Sequence, residues 1–97
     1  MLVIDRDKSC IYCRRPFTSN TGLRREQASW EHIVNDGSII TIENIALCCI
    51  GCNASKGTKT LSSWLMSKYC SRMEITISSI AHVAAASLPQ SQTTHAA

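Results

Sequence analysis

The chain has 97 residues, of which 18% are charged, and a formal net charge of +3. A chain of this length holds one domain whose small core leaves little margin over conformational entropy, so a metal or covalent staple is expected. No stretch is long and apolar enough to span a membrane, and Met1–Ile4 is too short for the apolar core of a secretory leader, so an intracellular, cytoplasmic location is expected.

The first recognisable unit is the tight turn Cys10-Ile11-Tyr12-Cys13, followed by Arg14-Arg15-Pro16, where Pro16 disfavours a helix. A turn-rich connection, Thr18–Gly22, leads to two short runs, Ala28–Val34 and Ser38–Ile42, on either side of Asn35-Asp36-Gly37. That pattern predicts a hairpin, with Ile39, Ile40 and Ile42 as its β-branched content. A second cysteine turn, Cys49-Ile50-Gly51-Cys52, feeds a short helix through Asn53 to Lys56 that Gly57 ends. Thr60 reads as the N-cap of the next helix. Its apolar spacing, Leu61, Trp64, Leu65 and then Lys68 or Tyr69, makes Trp64 a core anchor. The stretch from Ser78 to Leu88 is predicted helical, because Ala84-Ala85-Ala86 and the following Pro89 suit a helix and its stop. Gln90–Ala97 is polar and expected to be disordered. No internal repeat and no second domain are visible, so residues 1–88 form the expected domain and residues 89–97 a tail.

Six cysteines are present. In a reducing compartment, close pairs of cysteines are metal ligands more often than disulfides. Cys10 with Cys13 and Cys49 with Cys52 offer four sulfurs to one tetrahedral zinc, which pins the N-terminal turn to the first helix and closes the loop between them. Cys48 is adjacent to a ligand but out of register and reads as packing; Cys70 reads as a free structural thiol. Four thiolates around zinc carry a net charge of about −2, which lowers the chain's +3 to about +1. The distribution of charge is therefore the more useful signal. Arg6, Lys8, Arg14, Arg15, Arg24 and Arg25 crowd the first quarter, and Lys56, Lys59, Lys68 and Arg72 follow the last cysteine pair. Such segments contact phosphates or form a solvated face.

Between the cysteine pairs lies Trp30-Glu31-His32-Ile33-Val34, followed by Asn44 and, directly after the last ligand cysteine, Asn53. Hydrolysis of a phosphodiester requires a water nucleophile, a base and a cation. Glu31 and His32 offer a carboxylate and an imidazole, but neighbours on a regular strand point to opposite faces, so both serve one site only where the strand is irregular or ends. The series Glu31-His32-Ile33, Asn44-Ile45 and Cys49-x-x-Cys52-Asn53-x-x-Lys56-Gly57 resembles the HNH endonuclease family in its four-cysteine zinc, His-Asn-Asn form. The resemblance spans about Cys10 to Leu65.

The resemblance implies a small α+β protein with the zinc-stapled, treble-clef-like ββα-metal fold and an additional C-terminal helix. It implies cleavage of DNA with His32 as general base and with Glu31 and Asn53 as ligands of one catalytic Mg²⁺ or Mn²⁺ ion. Asn44 would hold the loop between the strands. Lys56, Lys59, Arg14 and Arg15 are the candidate phosphate contacts. Many members have Pro where this chain has Asn35, and Asn53 in place of His favours a hard ion over a transition metal. DNA is the expected partner, with a homodimer or an accessory DNA-binding protein as an option for cutting both strands. The main alternative is a zinc module that binds nucleic acid without cutting it. A nuclease end of a toxin has less support, because no delivery segment is visible.

Overall fold

The computed structural model describes residues 2–17 and 23–88. Two antiparallel strands, β1 (Ala28–His32) and β2 (Ile45–Cys49), pair in the register Ala28 to Cys49 through His32 to Ile45. A single-turn helix, α1 (Val3–Arg6), precedes them, and a 3₁₀ turn at Arg24–Glu26 leads into β1. Helix α2 (Ile50–Lys56) starts directly at the end of β2. The short helices α3 (Leu61–Trp64), α4 (Lys68–Met73) and α5 (His82–Ala85) complete a small α+β fold. Among the described residues no helix is long and apolar enough to cross a membrane.

The strand partner differs from the sequence reading. Ser38–Ile42 does not pair with β1; β2 does, and the residues between are an irregular loop. The reason is burial: Ile40 and Ile42 are exposed, whereas Ala46, Leu47, Cys48 and Cys49 are all buried. A strand covered on both faces gives a continuous apolar run instead of alternation. Composition favours the isoleucines, but the core takes the segment that can be covered on both sides.

The remaining edge of β2 is closed by the N-terminal segment. Asp7, itself buried, accepts the Leu47 N–H at 3.0 Å, and the Ile11 N–H donates to the Leu47 carbonyl at 3.2 Å. Arg6 chelates the Asp7 carboxylate at 2.7 and 2.8 Å and donates to the carbonyls of Ile42 and Ile45. The hydrogen bond to Asp7 raises the Arg6 pKa above its usual value. A carboxylate and a guanidinium thus stand in for part of a third strand.

Helix α2 follows its expected boundaries closely. The Cys49 sulfur accepts the Cys52 N–H at its start, and Gly57, at φ +52°, closes its end with an N–H to the Asn53 carbonyl. That φ lies in the region glycine adopts without Cβ strain. Thr60 caps α3 as predicted, but the helix does not run on to Tyr69. Ser67 breaks it: its hydroxyl accepts the Cys70 N–H and starts α4 as a new helix. Serine competes for backbone donors in this way, which is why it favours caps over helix interiors.

The helix predicted over Ser78–Leu88 shrinks to α5. Thr76 and Ser79 exchange side-chain and backbone hydrogen bonds in a local turn, and Ala81 is extended so that its N–H reaches the Ile11 carbonyl at 2.8 Å. This places Ile80 and Ala84 in the core. Trp64 is fully buried, with Tyr12 edge-on at 4.9 Å and Tyr69 stacked at 6.0 Å, and its indole N–H donates to the Ser55 hydroxyl. The predicted connection at Thr18–Gly22 and the predicted tail at Gln90–Ala97 lie outside the described residues.

Candidate metal centre and adjoining polar site

The two cysteine turns meet. The sulfurs of Cys10, Cys13, Cys49 and Cys52 all lie within 4.8 Å of one another, with Cys13 and Cys49 at 3.8 Å. A tetrahedral zinc with bonds of about 2.3 Å holds its sulfurs about 3.8 Å apart, so the cluster has the size of a zinc site. Local folding aims the sulfurs. The Tyr12 and Cys13 N–H groups point at the Cys10 sulfur at 3.4 Å, as the Cys52 N–H does at that of Cys49. The Cys10 N–H donates to the Arg15 carbonyl, and Arg14 turns the chain at φ +67°.

The four thiols perturb one another's protons: hydrogen bonding with Cys10 drives Cys13 down and Cys49 and Cys52 up. Four thiolates this close repel unless a cation sits among them, so the donor set suits a thiophilic metal ion such as zinc. The Tyr69 hydroxyl lies 3.4 Å from the Cys52 sulfur, and burial raises its pKa, so it remains a donor to a thiolate. Spacing alone carries no signal for Tyr69, which comes from a separate helix. Cys48 and Cys70 are fully buried and apart from the cluster, and burial raises the pKa of each.

Next to the cluster, α2 packs on β1. Asn53 Nδ2 donates to the Ser29 hydroxyl and the Trp30 carbonyl, both at 3.0 Å, and among the described residues nothing donates to its Oδ1. His32 is the last residue of β1 and is partly exposed; among the described residues its ring forms no hydrogen bond, and none joins it to Asn53. Asn44 is buried and braces the loop that follows β1. Its Oδ1 accepts the Val34 N–H at 2.7 Å, and its Nδ2 donates to the carbonyls of Val34 and Ile39.

Glu31 and Lys56 stand elsewhere than the sequence reading puts them. Strand alternation turns Glu31 inward while Trp30 and His32 face the other side. The Glu31 carboxylate is buried, accepts the Tyr12 hydroxyl at 2.7 Å and lies 3.0 Å from Lys56 Nζ. Lys56 is only 1% exposed, so it is a buried counter-ion and not a phosphate contact on a rim. Its ammonium touches Glu31 Oε2 off the line of a good hydrogen bond and has no other side-chain or backbone acceptor among the described residues. Burial and the Glu31 charge hold the Tyr12 phenol protonated.

The Glu31 carboxylate, expected to share a magnesium ion with Asn53, is thus engaged by Lys56 and Tyr12, and among the described residues no hydrogen bond joins it to Asn53. Of the remaining basic candidates, Lys59 and Arg14 are exposed, and Arg15 pairs with Glu26 at 2.7 Å. Comparison with protein-family models, with curated proteins and with solved structures finds no match to this chain.

Proposed function

We propose that this chain is a metal-dependent DNA endonuclease of the HNH type, with His32 as the general base and Asn53, whose oxygen has no donor among the described residues, as a ligand of the catalytic ion. The order β1, β2, α2, with the sulfur cluster at the start of α2, supports the ββα-metal and treble-clef reading of the fold. One observation carries most weight: the Asn44 side chain clamps the loop after β1 through Val34 and Ile39, so the chain leaving His32 is fixed in place. A base works only when held within hydrogen-bond reach of its water, and a buried asparagine with three bonds provides that constraint.

His32 removes the proton from the attacking water. Asn53, tied to Trp30 and Ser29 by its amide nitrogen, keeps its oxygen oriented away from those two groups. A hard divalent ion such as Mg²⁺ or Mn²⁺ would supply positive charge at the phosphate. Exposed Lys59 and Arg14 supply phosphate contacts.

A second reading, a zinc module that binds nucleic acid without cutting it, gains from the burial of Glu31, which leaves the proposed ion with few protein ligands. Plasmid cleavage by zinc-loaded protein in Mg²⁺, Mn²⁺ or EDTA separates the two. Cutting that requires the added ion and is lost in His32→Ala and Asn53→Ala, with the fold and zinc content unchanged, supports the nuclease. A gel shift with no cutting under any ion replaces it with the binding module.

A further inference from the structure

We infer that Glu31, Lys56 and Tyr12 form a buried lock between the N-terminal cysteine turn, β1 and α2, and that Glu31 is a positioning residue instead of a ligand of a catalytic metal. This builds on the proposed nuclease only for its effect on His32; the lock itself stands on geometry alone.

Each member of the lock is next in sequence to a part that has to be placed. Tyr12 lies between Cys10 and Cys13, Glu31 immediately precedes His32, and Lys56 is one helical turn beyond Asn53. The Tyr12 hydroxyl and the Lys56 ammonium converge on one atom, Glu31 Oε2, at 2.7 and 3.0 Å. All three side chains are buried: Tyr12 is fully enclosed, Lys56 is 1% exposed and Glu31 6%. Charges removed from water to this extent persist only when paired. Glu31 is the partner available to Lys56, and a divalent ion drawing on the same carboxylate would leave the ammonium buried without a counter-charge.

Because the pair joins β1 to α2, it also sets the spacing of the strand that ends at His32 from the helix that carries Asn53. The cysteine cluster fixes the far end of α2 through Cys49 and Cys52, and the lock fixes the near end through Lys56. Helix α2 is thereby held at both ends over its seven residues.

The test measures Mn²⁺ binding by electron paramagnetic resonance and stability by denaturant titration on zinc-loaded full-length chain. The variants are Glu31→Gln, Lys56→Met, the double variant, Glu31→Asp and Asn53→Ala. Glu31→Gln and the double variant should bind Mn²⁺ within about twofold of wild type, while Asn53→Ala weakens binding by about tenfold or more. Lys56→Met alone should be destabilised and the double variant should recover, a coupling expected of a buried pair. Glu31→Asp, which keeps the charge but shortens the reach to Lys56, should lower kcat with KM and Mn²⁺ affinity unchanged.

Loss of Mn²⁺ binding equal to that in Asn53→Ala, in the double variant and in a Glu31→Gln chain that is still folded, overturns the assignment, as does an absence of coupling between Glu31 and Lys56. If wild type binds no Mn²⁺, the nuclease proposal falls, and the coupling alone decides the lock.

Discussion

Two clusters of buried ionisable groups flank α2, and they handle charge in opposite ways. At the start of the helix, Cys10, Cys13, Cys49 and Cys52 bring four like groups together, an arrangement that calls for a cation from solution. At its end, Glu31 and Lys56 bring opposite charges together and need nothing from outside. The first cluster has the donor set of a metal site and is completed only by an ion, whereas the second is complete as soon as the chain folds. Two different devices thus stand at the two ends of one short helix.

Removing the metal should have the largest effect. Chelation, or Cys49→Ser, is expected to unfold the chain, since structural zinc sites contribute on the order of 10 kcal/mol or more; loss of near-ultraviolet circular dichroism together with loss of bound zinc checks this. A chain that keeps its near-ultraviolet spectrum after zinc is stripped would show that the Glu31–Lys56 pair and the core suffice.

The self-contained pair comes next. Lys56→Met leaves Glu31 charged and buried, and is expected to cost about 3–5 kcal/mol in urea unfolding. The Glu31→Gln/Lys56→Met double variant removes both charges and should restore most of that loss. Tyr12→Phe deletes only the hydroxyl that donates to the carboxylate, an effect of about 1.5–3 kcal/mol for a hydrogen bond to a charged group, read from the same titration.

The smallest effect is expected at the surface. Arg15 and Glu26 are 2.7 Å apart, shorter than Lys56 and Glu31, yet the Arg15 side chain is 45% exposed. Arg15→Ala should therefore change stability by less than about 1 kcal/mol, and the change should shrink in salt. A large loss at Arg15 with none at Lys56 would invert the relation between burial and energy drawn above.

Much of the candidate site is legible in the sequence where the determinant is local. Cys-x-x-Cys spacing brings each pair of sulfurs to one point, Thr60 caps its helix, and Gly57 ends α2, because capping and glycine conformation act within a few residues. Asn44 also has the loop-bracing bonds expected of it. The failures are long-range. Ser38–Ile42 has strand composition, but its isoleucines find no second layer to cover them. The Ala84-Ala85-Ala86 run has helix propensity, but Ala81 is drawn out of the helix by Ile11, from the opposite end of the chain. Propensity is worth tenths of a kcal/mol per residue and gives way to such contacts.

The sequence by itself determined that four cysteines at metal-ligand spacing close the chain, that Trp64 is central to the core, and that Glu31, His32, Asn44 and Asn53 are the candidate site residues. Only the tertiary structure decided which of these face one another. A strand places neighbouring side chains on opposite faces, so the adjacent Glu31 and His32 part company, and the carboxylate meets a lysine from α2 and a tyrosine from the first cysteine turn. Adjacency along a chain is a covalent fact, whereas a charge partner is chosen by the packing that removes both groups from water.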